Sequence, residues 1–203
     1  MSLATLRLSN FPPEDSSVDG SFDSCSAHET RNIKVKRYKN LYIVGILAQK
    51  YINYTFGKRL KMNIDHYHRL SQMFVNAPIN KLYKPEINIS DGECTIELPP
   101  SPDFFHAGKT LHGSVYFKML DDAAYFAIQS QVTDYFILTS SFSIHFIRPI
   151  GLEKITAKGT IISRTKSVYT GEAKLYNEAG KLVGHGSGSF MKSSLAIEQA
   201  EGY

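Results

Sequence analysis

The sequence predicts an α+β fold in which one antiparallel sheet curls around a single long helix. Residues 112–129, HGSVYFKMLDDAAYFAIQ, read as a helix apolar on nearly every side, and such a helix has to be enclosed by something. Four runs of β character follow it, at 136–147, 154–163, 168–176 and 181–191. In the first, Phe142, Ile144 and Phe146 alternate with Ser141, Ser143 and His145, so one face is core and the other is wetter.

Residues 1–30 are rich in Ser, Asp and Pro and hold no sustained period, which predicts disorder. Residues 31–61 carry nine Lys or Arg and no Asp or Glu. They read as a poorly ordered basic leader, although the apolar run 41–48 is also compatible with a segment lying on a membrane surface or on the domain. A natural start at Met62 would place the whole leader outside the native chain. The domain is expected over 62–193, with a C-terminal tail at 194–203.

From 63 to 75, Ile64, Tyr67, Leu70, Met73 and Phe74 recur at helical steps, and Pro78 follows. His66 and His68 on this helix point in different directions, are read as solvent-facing and do not share a metal. Residues 86–98 read as strand, Asp-Gly turn, strand, and Pro99-Pro100 forces an irregular link to the long helix. The four later strands are expected as an up-and-down run. Gly184, Gly186 and Gly188 alternate along the last one, either for the close approach of a backbone or ligand or for a bend over the helix.

Residues 62–203 hold thirteen Lys or Arg against fourteen Asp or Glu, so the basicity belongs to the leader, and nucleic acid is not an expected partner. Two cysteines far apart, Cys25 and Cys94, indicate reduced thiols rather than a disulfide framework or zinc site. No run is long and apolar enough to span a bilayer, nor does the start look like a secretion signal. The expected compartment is the cytoplasm, and no metal is expected.

Chemistry converges on the long helix. At its start the backbone N–H groups lack partners and the dipole is positive, so the Gly113 amide can polarise a carbonyl or hold an oxyanion. Asp122 has a cation at Lys118, one turn earlier. Asp121 has none and is the candidate base or nucleophile, set against a hydrogen-bonded structural role. Asp121 lies about 12 Å along the helix from Gly113, so an antiparallel two-fold contact is the route by which Asp121 of one subunit meets Gly113 of the other.

The stretch FHAGKTLHGSVYFKMLDDAAYFA resembles the hotdog-fold acyl-CoA thioesterases of the PaaI type, whose helix opens with His-Gly-Gly and carries its acid nine residues after the His. The resemblance covers roughly 62–192, including Arg148-Pro149 and the hairpin at 180–183. It implies that Gly113 binds the thioester oxygen, that Asp121 from the other subunit activates water or attacks directly, and that Thr139 holds that water. His112 and His106 would orient the loop. Two departures stand out: Ser114 replaces the second glycine, and His106 stands where relatives often have Asn.

The function expected is hydrolysis of an acyl-CoA by a homodimer or a homotetramer built as a dimer of dimers, with CoA present only as part of the substrate. Arg164 and Lys166, flanking a turn at the sheet end, are the expected grip on the CoA phosphates, unless they are simply solvated turn residues. The rivals are a hotdog 3-hydroxyacyl thioester dehydratase or hydratase, using His106 or His112, and a non-catalytic acyl-CoA-binding dimer.

Overall fold

A computed structural model describes residues 26–203, with side chains at 44–55, 57 and 63–203. The disorder expected for 1–30, and Cys25, fall largely outside the described residues. The chain divides into two compact units, up to Tyr54 and from Thr55. In the first, residues 26–54 are helical and 44–54 are exposed throughout. Helix α1 spans Ser26–Asn76, so the helix expected over 63–75 is the last part of a longer one. No proline interrupts these residues, and the straight-chain Lys, Arg, Leu and Gln side chains are good helix formers.

In the second unit, α1 ends at Asn76, and Pro78 opens a short helix, α2 (Pro78–Tyr83). Proline suits that first helical position because its missing N–H would be unpaired there anyway. The Asn80 side chain donates to Phe74 O at 2.7 Å, tying α2 to the end of α1. Strands β1 (Glu86–Ser90) and β2 (Glu93–Leu98) form the expected hairpin, with Gly92 at φ 74° in its turn.

Helix α3 (Gly113–Gln129) lies on the sheet through a strip of small residues, with Ala123, Ala124 and Ala127 fully buried. Opposite them, Gly159 makes the approach possible: a Cβ there would lie 2.0 Å from Ala123 O. The remaining strands are β3 (Tyr135–Phe146), β4 (Ile155–Arg164), β5 (Val168–Asn177) and β6 (Leu182–Ala196). The sheet order is β1-β2-β4-β5-β6-β3, antiparallel at every pairing.

That order corrects the up-and-down expectation. Strands β4, β5 and β6 do form a meander, but β3 pairs with β6 at the far edge and not with β4. Arg148-Pro149 lies in the link that leaves β3, where proline's missing N–H and fixed φ suit an irregular connection. The link then crosses to β4, burying Ile150 on the way. On β6 the glycines are covered by side chains: a Cβ at Gly186 or Gly188 would strike the Phe142 ring of β3, and one at Gly184 would press on Tyr116 of α3. Burial pushes the Cys94 thiol pKa up, as befits a core residue. Among the described residues no helix is long and apolar enough to cross a membrane.

Candidate active site

Asp121 sits midway along α3, half-buried, and opens on a cavity of 590 Å³. Phe74, Tyr125, Phe126, Phe136 and Leu138 make much of its lining apolar. Removal from water pushes the Asp121 carboxyl from 3.8 up to about 6; the hydrogen bond from Thr139 opposes the rise, the neighbouring Asp122 charge adds to it, and Lys118 opposes it. A carboxyl in that range exchanges its proton near neutrality, which suits a general base.

Thr139 comes from β3. Its Oγ1 donates to Asp121 Oδ1 at 3.1 Å and lies 3.4 Å from Oδ2. The register that brings it there is fixed at the helix end by Gln129, which has no solvent exposure. Gln129 Nε2 donates to Val132 O and Tyr135 O, and its Oε1 accepts from Ile137 N at 3.0 Å and from Tyr125 OH at 3.2 Å. The splice between α3 and β3 is thus fully satisfied, as a buried amide requires. Sequence reasoning missed Gln129; its signal was a lone amide at the end of an otherwise apolar helix.

Asp122 pairs with Lys118, as the one-turn spacing predicts, at 2.5 Å. The ammonium also lies over the rings of Phe74 at 5.6 Å and Tyr83 at 5.3 Å. Burial raises the Asp122 pKa, and Lys118 works against that rise.

The start of α3 forms a second hollow of 450 Å³, lined by residues that include His106, Gly113, Tyr116, Phe146 and Arg148. His112 caps the helix, its Nδ1 accepting from Ser114 N at 3.1 Å and lying 2.7 Å from Ser114 Oγ. The Ser that replaces a glycine is therefore part of the cap. The Gly113 N–H has no partner among the described residues, and a Cβ at Gly113 would come within 3.2 Å of Phe146. His106 Nδ1 accepts from Gly108 N at 2.9 Å, and its Nε2 meets Thr110 Oγ1 at 2.8 Å. Both ring nitrogens of His106 are thus spent on the loop.

Within one chain, then, Asp121 and Thr139 line one cavity and Gly113 and His106 line another. Arg164 and Lys166 line neither; Arg164 donates to Gln131 O at 3.2 Å beyond the end of α3. His66, expected in solvent, is buried. The reason is that both its nitrogens are satisfied: Nε2 bonds Gln129 O at 2.9 Å and Nδ1 meets Tyr203 OH at 2.6 Å. Burial lowers its pKa, with the Gln129 carbonyl opposing, which keeps the ring neutral. No group of three or more His, Cys, Asp or Glu among the described residues is placed to hold a metal.

Residues 108–184 match the family model described as Thioesterase superfamily. No curated protein matches the chain. Among solved structures, the E. coli PaaI protein from the phenylacetic acid degradation operon is similar at 20% identity and a TM-score of 0.59, over 64% of this chain and 98% of that one. A conserved protein of Pseudomonas aeruginosa is similar at 21% identity and 0.55, over 58% and 94%. A mutant of a Staphylococcus aureus thioesterase enzyme is similar at 19% and 0.54, over 57% and 98%. At these identities the structures speak for the fold, and the family match speaks for residues 108–184. The chain therefore has the hotdog fold and, over residues 108–184, resembles the thioesterase superfamily, as the PaaI-like motif at its central helix implied.

Proposed function

We propose that the protein is a cytoplasmic acyl-CoA thioesterase working as a homodimer or a dimer of dimers. The observation that carries this reading is the Asp121 carboxylate, raised to about 6 and bonded by Thr139 at the edge of an apolar cavity. In the hydrolysis, Asp121 removes a proton from water, the water oxygen bonds to the thioester carbon, and the Gly113 N–H of the partner subunit steadies the oxyanion. The C–S bond then breaks, CoA leaves as the thiol with the transferred proton, and the acyl group leaves as the acid. Direct attack by Asp121, through a mixed anhydride that water then opens, balances equally. Thr139 holds the carboxylate, or the water beside it, in line.

The dimer is part of the reading because Asp121 and Gly113 lie about 12 Å apart along one helix and open on different hollows. The exposed edge strand β3, with Leu138 54% and Phe146 58% accessible, supports pairing of two sheets there, since unpaired edges invite a partner. Arg164 and Lys166 would take the CoA phosphates along the surface. His106 is disfavoured as the base of a hydratase because both its nitrogens are engaged in its own loop.

The test is CoA release from a panel of short, aryl and long acyl-CoAs by the full chain and by Asp121→Asn. Release by the first and not the second supports the reading. A wild-type protein that binds these thioesters without turnover favours an acyl-CoA-binding dimer instead.

A further inference from the structure

We infer that two stretches outside the thioesterase-like residues, 73–80 and 195–202, form the wall that selects the acyl group, with His66 and Tyr203 as residues that hold this wall in position. The inference rests on the thioester reading above.

The cavity at Asp121 has two kinds of lining. Its catalytic edge comes from α3 and β3, within residues 108–184. The opposite wall comes from the end of α1, from α2, from the end of β6 and from the chain after it: Met73, Ala77, Ile79, Leu195, Ala200 and Gly202 all line it. Glu201, the acidic residue of that wall, is exposed. A thioester carbon within reach of Asp121 places the attached acyl chain in this cavity, where these side chains are what it meets. At 590 Å³ the space lies within the usual range for a pocket that encloses a small organic ligand.

The wall is built rather than draped. Ile197 is buried, and its N–H donates to Asp134 O at 3.3 Å. Six residues later, Tyr203 OH meets His66 Nδ1 at 2.6 Å, and the Arg69 guanidinium lies 5.3 Å over the Tyr203 ring. His66 in turn bonds the carbonyl of Gln129 at the end of α3. Between the two anchors the backbone passes so close to α1 that a Cβ on Gly202, at φ 84°, would lie 3.3 Å from Met73 Cα. The chain after β6 is thus pinned at both ends with Ala200 and Gly202 against the cavity. One methylene more or fewer in a hydrophobic pocket changes kcat/KM by about 10- to 200-fold, so the depth of this wall decides which chain length is accepted.

The experiment measures kcat/KM for straight-chain acyl-CoAs from acetyl to decanoyl with the full chain and three variants. Ala200→Trp fills the cavity and should lower the octanoyl-to-butanoyl ratio at least about 10-fold. Ile79→Ala with Leu195→Ala widens it and should raise that ratio; both side chains are more than a third exposed, so the core is spared. Tyr203→Phe unpins the wall and should flatten the length profile, an effect that a general loss of stability does not produce. Profiles that superimpose on the wild type in all three variants overturn the inference. Should the wild type release CoA from no substrate, the hydrolase reading fails, and calorimetry with S-butyl-CoA and S-octyl-CoA decides the wall separately. Affinity that depends on alkyl length and shifts downward for the longer ligand in Ala200→Trp supports it; affinity indifferent to length overturns it.

Discussion

Thr139 Oγ1 donates to Asp121 from the neighbouring strand, 3.1 Å from one carboxylate oxygen and 3.4 Å from the other. Eighteen residues separate the two in sequence, and Gln129 at the helix end sets the register that joins them. This hydrogen bond favours the ionised carboxylate while burial favours the neutral one, so the pair sets the pH at which the carboxylate forms.

Asp121→Asn should lower kcat/KM by about 10² to 10⁴ and at the same time stabilise the fold. Because the folded-state pKa lies above the ordinary 3.8, stability from this carboxyl is full below pH 3.8 and is lost as pH rises through about 6. At pH 7.5 the ionised group costs about 1 to 3 kcal/mol, which Asn removes. Thermal melts should show the variant higher by several degrees at pH 7.5 and level with the wild type near pH 3.5. A variant that melts lower at both pH values would contradict the burial argument.

The acid limb of the pH–rate profile should fall near pH 6 and move in opposite directions in two variants. Thr139→Ala removes a bond that lowers the Asp121 pKa, so the limb moves to higher pH. Asp122→Asn removes a negative charge that raises it, so the limb moves to lower pH. Activity of Asp122→Asn at pH 8 should stay near the wild type, while its melting temperature drops because Lys118 loses its partner. Limbs that stay fixed in both variants would remove Asp121 from the rate-determining ionisation.

For the CoA portion, Arg164→Ala with Lys166→Ala should raise KM for acyl-CoA and leave a phosphate-free pantetheine thioester almost unaffected, as expected when cations follow a flexible phosphate by charge. Raising the salt concentration should weaken the wild type towards the double variant. Equal changes on both substrates would assign these side chains to folding rather than phosphate.

A chain beginning at Met62 should be folded, dimeric and as active as the whole. Among the described residues of that helix, 44–55 and 57 are exposed, whereas His66, Leu70 and Phe74 are buried. Unchanged melting temperature and kcat/KM would support a dispensable leader; a loss of several degrees or a changed chain-length preference would place residues 1–61 within the working domain.

The enclosed helix, the hairpin at β1 and β2 and the four later strands were legible because their periods are strong and all but one of the strand-to-strand links, 165–167, carry Gly or Pro. Strand order was not, since alternation tells which face is buried but nothing about the neighbour. Asp121 was singled out in the sequence because the Lys118 cation is spaced to pair with Asp122, and the structure puts Lys118 on Asp122 while its charge also reaches Asp121. The family resemblance placed Thr139 beside the attacking water; its bond to Asp121 itself came from the structure, as no local pattern links a helix to an edge strand. His66 was misread because an amphipathic period treats histidine as polar, whereas here two hydrogen bonds let it be buried. The wall at 195–202 left no periodic trace, because it joins the last two residues of β6 to a single 3₁₀ turn at Ile197–Gln199, each too short to show a period.

Gly159 places a limit on how this protein can change. Any side chain at that position would have to occupy the space of the Ala123 backbone, so α3 would lift from the sheet and carry Asp121, two residues earlier, away from Thr139. Misplacing a reacting group by about 1 Å costs on the order of 10²-fold in rate. The two surfaces of the cavity therefore differ in how freely they can drift: one is clamped by the missing atom at Gly159, while the other includes exposed side chains at Ile79 and Leu195. Substitutions that reshape the cavity would find their accessible steps on the second surface, and the distance from Asp121 to Thr139 would pass through that history unaltered.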